Sequence, residues 1–193
     1  MITQPEDVLV ARAREGDGDA FMEIARRLQP KVYAVIYGMT RNREDAADLT
    51  QETFLTAFRS LRDFHGESAF YTWVYRIAVN RALNFIKKKG REKDRAEFRE
   101  EDSPLDREQI ASRSPEGGSL KKELGRRLED AVAGLRPAYR TAFNLVAVQG
   151  MTHGQAAEIL GCSENTISWR MHKARKMLQA RLKPYLQEDD NET

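Results

Sequence analysis

The sequence predicts an all-α protein: two small helical domains joined by a flexible linker, the second containing a helix-turn-helix. Three observations predict it. Apolar residues recur at three- and four-residue steps through most of the chain, and no segment alternates as a strand would. The 193 residues are 40% hydrophobic and 32% charged, the balance expected of small cores with much surface. Between about 96 and 118 large apolar residues become sparse and Ser103, Pro104, Ser114, Pro115, Gly117 and Gly118 gather, as in a linker. A charged helix from Glu97 to Glu101, continuing the one before it, is the competing reading of that stretch.

The elements follow in order. A short helix covers Val8 to Arg14. A second runs from about Asp17 to Met39, with Phe21, Ile24, Leu28, Val32, Val35 and Ile36 at helical spacing. A third starts near Asn42, a suitable N-cap, and ends near Ser60, with Phe54, Leu55, Phe58 and Leu61 on one apolar face. After a loop holding His65 and Gly66, a fourth helix extends from Ser68 to about Lys89. The second domain holds four more helices. The first spans Ser119 to Gly134. The next opens with Pro137, suited to a first turn, and ends near Gly150. A third spans Thr152 to Leu160, where Thr152 and Gln155 fit a capping box. The last starts at Ser163 and runs to about Leu182, with Pro184 expected to stop it. The domain boundaries are therefore 1–95, 96–118 for the linker, 119–186, and 187–193 for a tail.

Composition excludes several classes. One cysteine, Cys162, cannot make an intramolecular disulfide, and three scattered histidines (His65, His153, His172) do not make a zinc site. No apolar run approaches the roughly 18 residues of a membrane span. The acidic start (Glu6, Asp7) is unlike a signal peptide, so a cytoplasmic protein without membrane insertion is expected. No phosphate-cradling loop or metal-ligand spacing is present, so no catalytic residue, metal or cofactor is expected.

A formal net charge of +2 argues against a nucleic-acid partner until it is resolved by segment. Residues 1–95 carry +3, 96–119 carry −4, 120–186 carry +7 and 187–193 carry −4. Two basic domains are masked by an acidic linker and tail.

The sharpest local signal lies in the last two helices. Ala157 is small where two helices approach closely. Gly161, four residues on, suits a left-handed turn, and Ile167 can pack back on the first helix, the spacing of a DNA-binding helix-turn-helix. On a helical wheel Ile167, Met171, Ala174 and Leu178 share one side. Asn165, Ser168, Trp169, His172 and Lys176 share the other, with Lys173 and Arg175 at its edges. Amide, hydroxyl, imidazole and cationic groups on one face can read base edges and hold phosphates.

The fourth helix also has two unlike faces. Val74, Ala78 and Phe85, flanked by Phe70 and Ile77, lie opposite Arg76, Asn80 and Lys87. Before and within it, Phe64, Phe70, Tyr71, Trp73 and Tyr75 are interleaved with cations, a pattern suited to unstacked bases. Most of these rings are equally suited to a core. Phe70 is expected there, and Phe64, in the loop, is expected to serve the bases rather than the core. On the third helix Asp45, Asp48 and Glu52 form one acidic stripe beside Gln51. Favourable placement at a helix N-terminus accounts for Asp45, but not for Glu52 two turns in, for which a protein-docking face is the alternative.

Together these residues resemble a known family. Asp45-Ala-Ala-Asp-Leu-Thr-Gln-Glu-Thr-Phe54 and Phe64-His-Gly-Glu-Ser-Ala-Phe-Tyr-Thr-Trp-Val-Tyr-Arg-Ile-Ala-Val-Asn80 are similar to region two of extracytoplasmic-function (ECF) sigma factors. Leu135-Arg-Pro and the helix-turn-helix ending His172-Lys-Ala-Arg175 are similar to their region four, and the second stretch looks close to the sigma-E-like branch. The resemblance implies a bacterial transcription-initiation subunit. Its partners would be core RNA polymerase (beta-prime clamp helices and beta flap), promoter DNA and an anti-sigma factor. Asp45, Asp48, Gln51 and Glu52 would dock on the clamp helices. Phe64 and Ser68 match a pocket for a flipped base of the minus-ten element, Asn80 a minus-ten reading position, and Arg76 and Lys87 backbone contacts. Ser168, Trp169, His172 and Lys173 would enter the minus-thirty-five major groove, with Asn165 on the same face and Arg140, Arg170, Arg175 and Lys176 toward phosphates. A stand-alone helix-turn-helix regulator and a protein-binding helical scaffold are the competing readings.

Overall fold

The computed structural model describes residues 4–97 and 120–186, with side chains described for 4–91 and 125–183. The described residues form α1 (Glu6–Arg14), α2 (Gly18–Thr40), α3 (Arg43–Arg59), α4 (Phe70–Glu97), α5 (Leu120–Ala133), α6 (Pro137–Phe143), α7 (His153–Leu160) and α8 (Glu164–Leu186). A 3₁₀ turn at Leu61–Asp63 leads toward α4, and a π turn at Asn144–Val148 extends α6. Among the described residues there is no strand. Residues 98–119, which hold nearly all of the expected linker, and the acidic tail 187–193 fall outside them.

Local chemistry sets the boundaries. The Asp17 carboxylate accepts from the Ala20 amide at 3.0 Å and starts α2, and the Asn42 side chain accepts from the Asp45 amide at 3.0 Å and starts α3. Arg41 turns the chain between them in the left-handed region, with φ 59°. Two ends differ from expectation. The α4 helix continues past the expected end near Lys89 to Glu97, and residues 98–101 of the competing charged helix lie outside the described residues. The α8 helix passes through Pro184 to Leu186 instead of stopping before it.

The α2 stripe, Ile24, Val32, Val35, Ile36 and Met39, is almost fully buried, as are Val74, Ala78, Val79 and Ala82 of α4. The α3 helix meets them with small residues, Ala46, Thr53 and Ala57, rather than with its aromatics. The buried hydroxyls of Thr50 and Thr53 donate to the Ala46 and Leu49 carbonyls at 2.6 Å, so they need no outside partner. Close helix approach leaves no room for Phe58 or Leu55, which remain 53% and 49% exposed, while Leu61 is buried. The expected apolar face of α3 is thus an open surface. Tyr75 does turn inward, and burial, with a smaller contribution from Tyr71, pushes its phenol up to about 12.

Two separate cores would be the simplest arrangement of two domains. Instead one cluster runs from Leu9 through α2, α3 and α4 into Ala142, Leu145, Ala156, Ile159, Ile167 and Met171. A smaller cluster, Ala131, Val132, Leu135, Ala174 and Leu178, joins α5 to α8. The merger comes from α7, which packs on both α4 and α8, and from α6, which packs on α2.

Candidate nucleic-acid interface

The helix-turn-helix is assembled by its own sequence. Thr152 Oγ1 accepts from the Gln155 amide at 3.2 Å, and Gln155 Oε1 accepts from the Thr152 amide at 2.9 Å, completing the capping box of α7. Gly161 takes φ 61°, ψ 41° and ends that helix. Ser163 Oγ then accepts from the Thr166 amide at 3.2 Å and begins α8. Ile167, Met171, Ala174 and Leu178 are buried, which rotates Asn165, Ser168, Trp169, His172, Lys173, Arg175 and Lys176 outward, all of them exposed.

Trp169 is 52% exposed, with Tyr139 packed edge-on at 5.7 Å and Lys173 Nζ 5.7 Å from its ring centroid. The indole is thereby held in place on a cationic face. Arg170 is half-buried, with Nη1 3.9 Å from Cys162 Sγ, at the margin of that face rather than on it. Arg140 is placed elsewhere. Its Nη1 donates to the Ala133 carbonyl at 2.7 Å and its Nη2 to the Met39 carbonyl at 2.8 Å, spanning the two domains instead of facing solvent. Burial, with Arg41 nearby, pulls its guanidinium below the ordinary arginine value.

In the first domain α3 and α4 enclose a cleft of about 630 Å³ lined by Asp45, Asp48, Glu52, Asn80 and Arg81, among others. Lys89 pairs with Asp45 at 2.9 Å, and Arg81 pairs with Glu52 while also reaching Thr56 Oγ1. The acidic stripe therefore shares a cleft with Asn80, and two of its three carboxylates meet α4 cations. Gln51 faces the other way, into a groove of about 970 Å³ between α2 and α3. Met22, Leu55 and Phe58 are exposed along that groove, Phe58 packing at a tilt against Phe21 with ring centroids 5.0 Å apart. The sequence holds a partial signal for this groove, the apolar face of α3, which reads equally as core.

Phe64 departs from expectation. It is 7% exposed, with its ring 5.3 Å from both Phe70 and Trp73, so it anchors the loop and offers no free face to a base. Phe70 is buried as expected. Ser68 is half-buried and lines two cavities on either side of Phe64. One, about 390 Å³, lies against α1 at Glu6, Asp7 and Arg14. The other, about 310 Å³, is lined by Asp63, His65, Trp73, Arg76 and Glu158. Asn80, Lys87 and Arg76 are exposed on α4, Asn80 at the cleft it shares with the acidic stripe and Arg76 meeting α7. His65 and Trp73 join the candidate set by position; Trp73 is legible in the aromatic run, His65 is not. Among the described residues no group of three or more His, Cys, Asp or Glu could hold a metal ion, and no helix is long and apolar enough to cross a membrane.

Residues 24–92 match the family model for sigma-70 region 2 and residues 125–178 the model for sigma-70 region 4. In this order the two regions define a sigma-70-type transcription factor. The chain is 34% identical over 94% of its length, and 97% of the relative's, to the ECF RNA polymerase sigma-E factor of Haemophilus influenzae. It is 33% identical to the RNA polymerase sigma-H factor of Pseudomonas aeruginosa, covering 97% of this chain and 100% of that one. The solved structure of sigma factor RpoE in complex with the anti-sigma factor NepR, from Bartonella quintana, superposes with TM-score 0.67 at 26% identity, over 84% of this chain and 96% of that one. CnrH in complex with the cytosolic domain of CnrY shares the fold, with TM-score 0.68 at 24% identity over 92% and 96% of the two chains. The chain belongs to the extracytoplasmic-function sigma factors, bacterial subunits that direct RNA polymerase to promoters.

Proposed function

We propose that this chain acts by binding, not catalysis, in the cytoplasm: it docks on core polymerase through region 2 and reads a promoter through both regions. The observation that carries this is the α8 face, where Asn165, Ser168, Trp169, His172 and Lys173 stand exposed directly opposite buried Ile167 and Met171. We assign that face to the minus-thirty-five major groove, with Arg170, Arg175 and Lys176 toward phosphates. Asn80, Arg76, Lys87 and Ser68 are assigned to the minus-ten strand, with Phe64 as the ring that holds the loop in shape. Asp45, Asp48, Gln51 and Glu52 are assigned to the beta-prime clamp helices, and region 4 to the beta flap. Residues 1–95 and 119–186 serve as the two working units, 96–118 as their tether.

Control by an anti-sigma factor in a stress response belongs to the same reading. The similar RpoE chain is held by NepR, and the groove at Met22, Leu55 and Phe58 gives a protein partner apolar surface to cover. The test is reconstitution. Added to sigma-free core polymerase, the chain should form a complex on gel filtration and support run-off transcription from promoters of the sigma-E type. Asp48→Arg should weaken the complex, and His172→Ala with Lys173→Ala should abolish transcription while leaving it intact. Failure both to bind core and to initiate would end this reading.

A further inference from the structure

We propose that in the free chain region 4 masks the single-strand face of region 2 while leaving its own recognition face open. This rests on reading α4 and its preceding loop as the minus-ten surface. The contact is specific and has two ends. At one, Arg76 Nη2 donates to the Glu158 carbonyl at 3.1 Å and lies 3.7 Å from the Glu158 carboxylate, while Gln155 Nε2 donates to the Tyr71 hydroxyl at 2.6 Å. Glu158 thereby forms one wall of the 310 Å³ cavity that Ser68, His65 and Trp73 also line. At the other end, Arg140 reaches the Met39 carbonyl, and Gly38 lies so close to Asn144 that a Cβ there would fall 2.2 Å from Asn144 Nδ2.

Charge and shape both oppose DNA in this arrangement. A strand laid along α4 brings its phosphates to Arg76, where the Glu158 carboxylate already sits, and two anions cannot share that position. The α7 backbone blocks the approach sterically as well. The outward α8 residues do not take part, so the minus-thirty-five reader is free in the same conformation. Opening the interface exposes apolar residues that α6 and α7 place in the shared core, so the closed form dominates in the free chain. Arg140 Nε and Asn144 Nδ2 are buried without a hydrogen-bond partner, a standing cost that separation of the regions removes. Most of the tether between the regions is polar and contains Pro104, Pro115, Gly117 and Gly118, a composition that allows it.

The test uses the full-length chain and two variants acting at opposite ends of the contact. Glu158→Gln removes the charge beside Arg76. Gly38→Leu wedges α2 away from Asn144 without altering charge, and leucine is a good helix former. Affinity is read by fluorescence anisotropy on a labelled single-stranded 20-mer of randomised sequence and on a random duplex of equal length, and domain separation by small-angle scattering. Each variant should enlarge the radius of gyration and bind the single strand about fivefold tighter or more, because the competent fraction rises. Gly38→Leu should leave duplex affinity unchanged, and adding Asn80→Ala should cancel the single-strand gain. Variants that open without this gain, while single-strand binding still depends on Asn80 and Arg76, overturn the masking. Single-strand binding indifferent to Asn80 and Arg76, or absent in every open variant, overturns the reading of α4 beneath it. Should Gly38→Leu fail to fold, Glu158→Gln decides alone, judged by its single-strand gain in excess of its duplex gain.

Discussion

Helices α4 and α8 look alike on a wheel and differ in the folded chain. Each carries an apolar stripe opposite a polar, basic one. On α8 the polar stripe meets solvent along its length, and Trp169 is held there by Tyr139 and Lys173. On α4 much of the polar stripe meets protein: Arg76 meets α7, Arg81 meets Glu52 and Thr56, and Lys89 meets Asp45. The aromatics differ in the same way. Phe64, in a loop, is packed between Phe70 and Trp73, whereas Trp169, in a helix, is half open. Periodicity says which way a side chain points from its own helix, and the neighbouring element decides whether that direction is solvent.

The largest expected effect sets these two aromatics against each other. Phe64→Ala should lower stability by about 3 kcal/mol, since a buried aromatic is lost from a packed cluster. Trp169→Ala should change stability by no more than about 0.5 kcal/mol yet weaken binding to promoter duplex. Thermal melts and anisotropy on both variants would break the comparison if the two effects were reversed. Next in size, Lys173→Ala should cost about 1–3 kcal/mol in promoter binding, a loss of roughly five- to 150-fold, if it reads a base edge. Titrating the loss against salt and against substituted elements separates that from a phosphate contact, which would be sequence-blind.

Smaller effects probe the scaffolds beneath the two helices. Arg81→Ala should cost region 2 no more than about 1 kcal/mol, because its pair with Glu52 is solvent-exposed. In region 4, Gly154→Ala should stabilise α7 by up to about 1 kcal/mol. The added methyl would meet Glu164 Oε1 at 2.9 Å, the end of a flexible side chain that can swing aside. A raised melting temperature would confirm it. The smallest effect concerns acid. The backbone amide of Ala20 and then the guanidinium of Arg12 hold the Asp17 carboxyl below its ordinary 3.8. Its contribution is therefore complete above that value and is lost as pH falls through the lower folded one. Asp17→Ala should flatten the acid limb of the stability profile below about pH 4 and leave the neutral region nearly parallel.

The helices themselves were legible in the sequence, and so was the exposed, cationic face of α8. Asn42, Asp17, Thr152 and Gly161 mark helix ends through bonds made within a few residues, so local sequence contains all the information needed. The α8 face is legible for a related reason: its buried side is specified by Ile167, Met171 and Ala174, and its polar side meets no other element. The site in region 2 was only partly legible. Asn80 and Lys87 stand where the wheel puts them, but Phe64 is buried, Leu55 and Phe58 are exposed, and Gln51 points into a different groove from Asp48.

By itself the sequence determined an all-α chain, its segregated charge, most helix boundaries to within a few residues (the end of α4, at Glu97 rather than Lys89, is the exception), and a helix-turn-helix with a cationic outer face. These follow from backbone bonding and side-chain periodicity, which act over one to three turns. Only the tertiary structure decided that the two regions share a core, that Arg140 spans them, and that Glu158 lies on Arg76. Those contacts join residues 82 to 101 positions apart, and nothing in the local pattern of either partner records the other. Helix formation is a local matter, whereas choosing which surface covers which requires the shape of the whole chain.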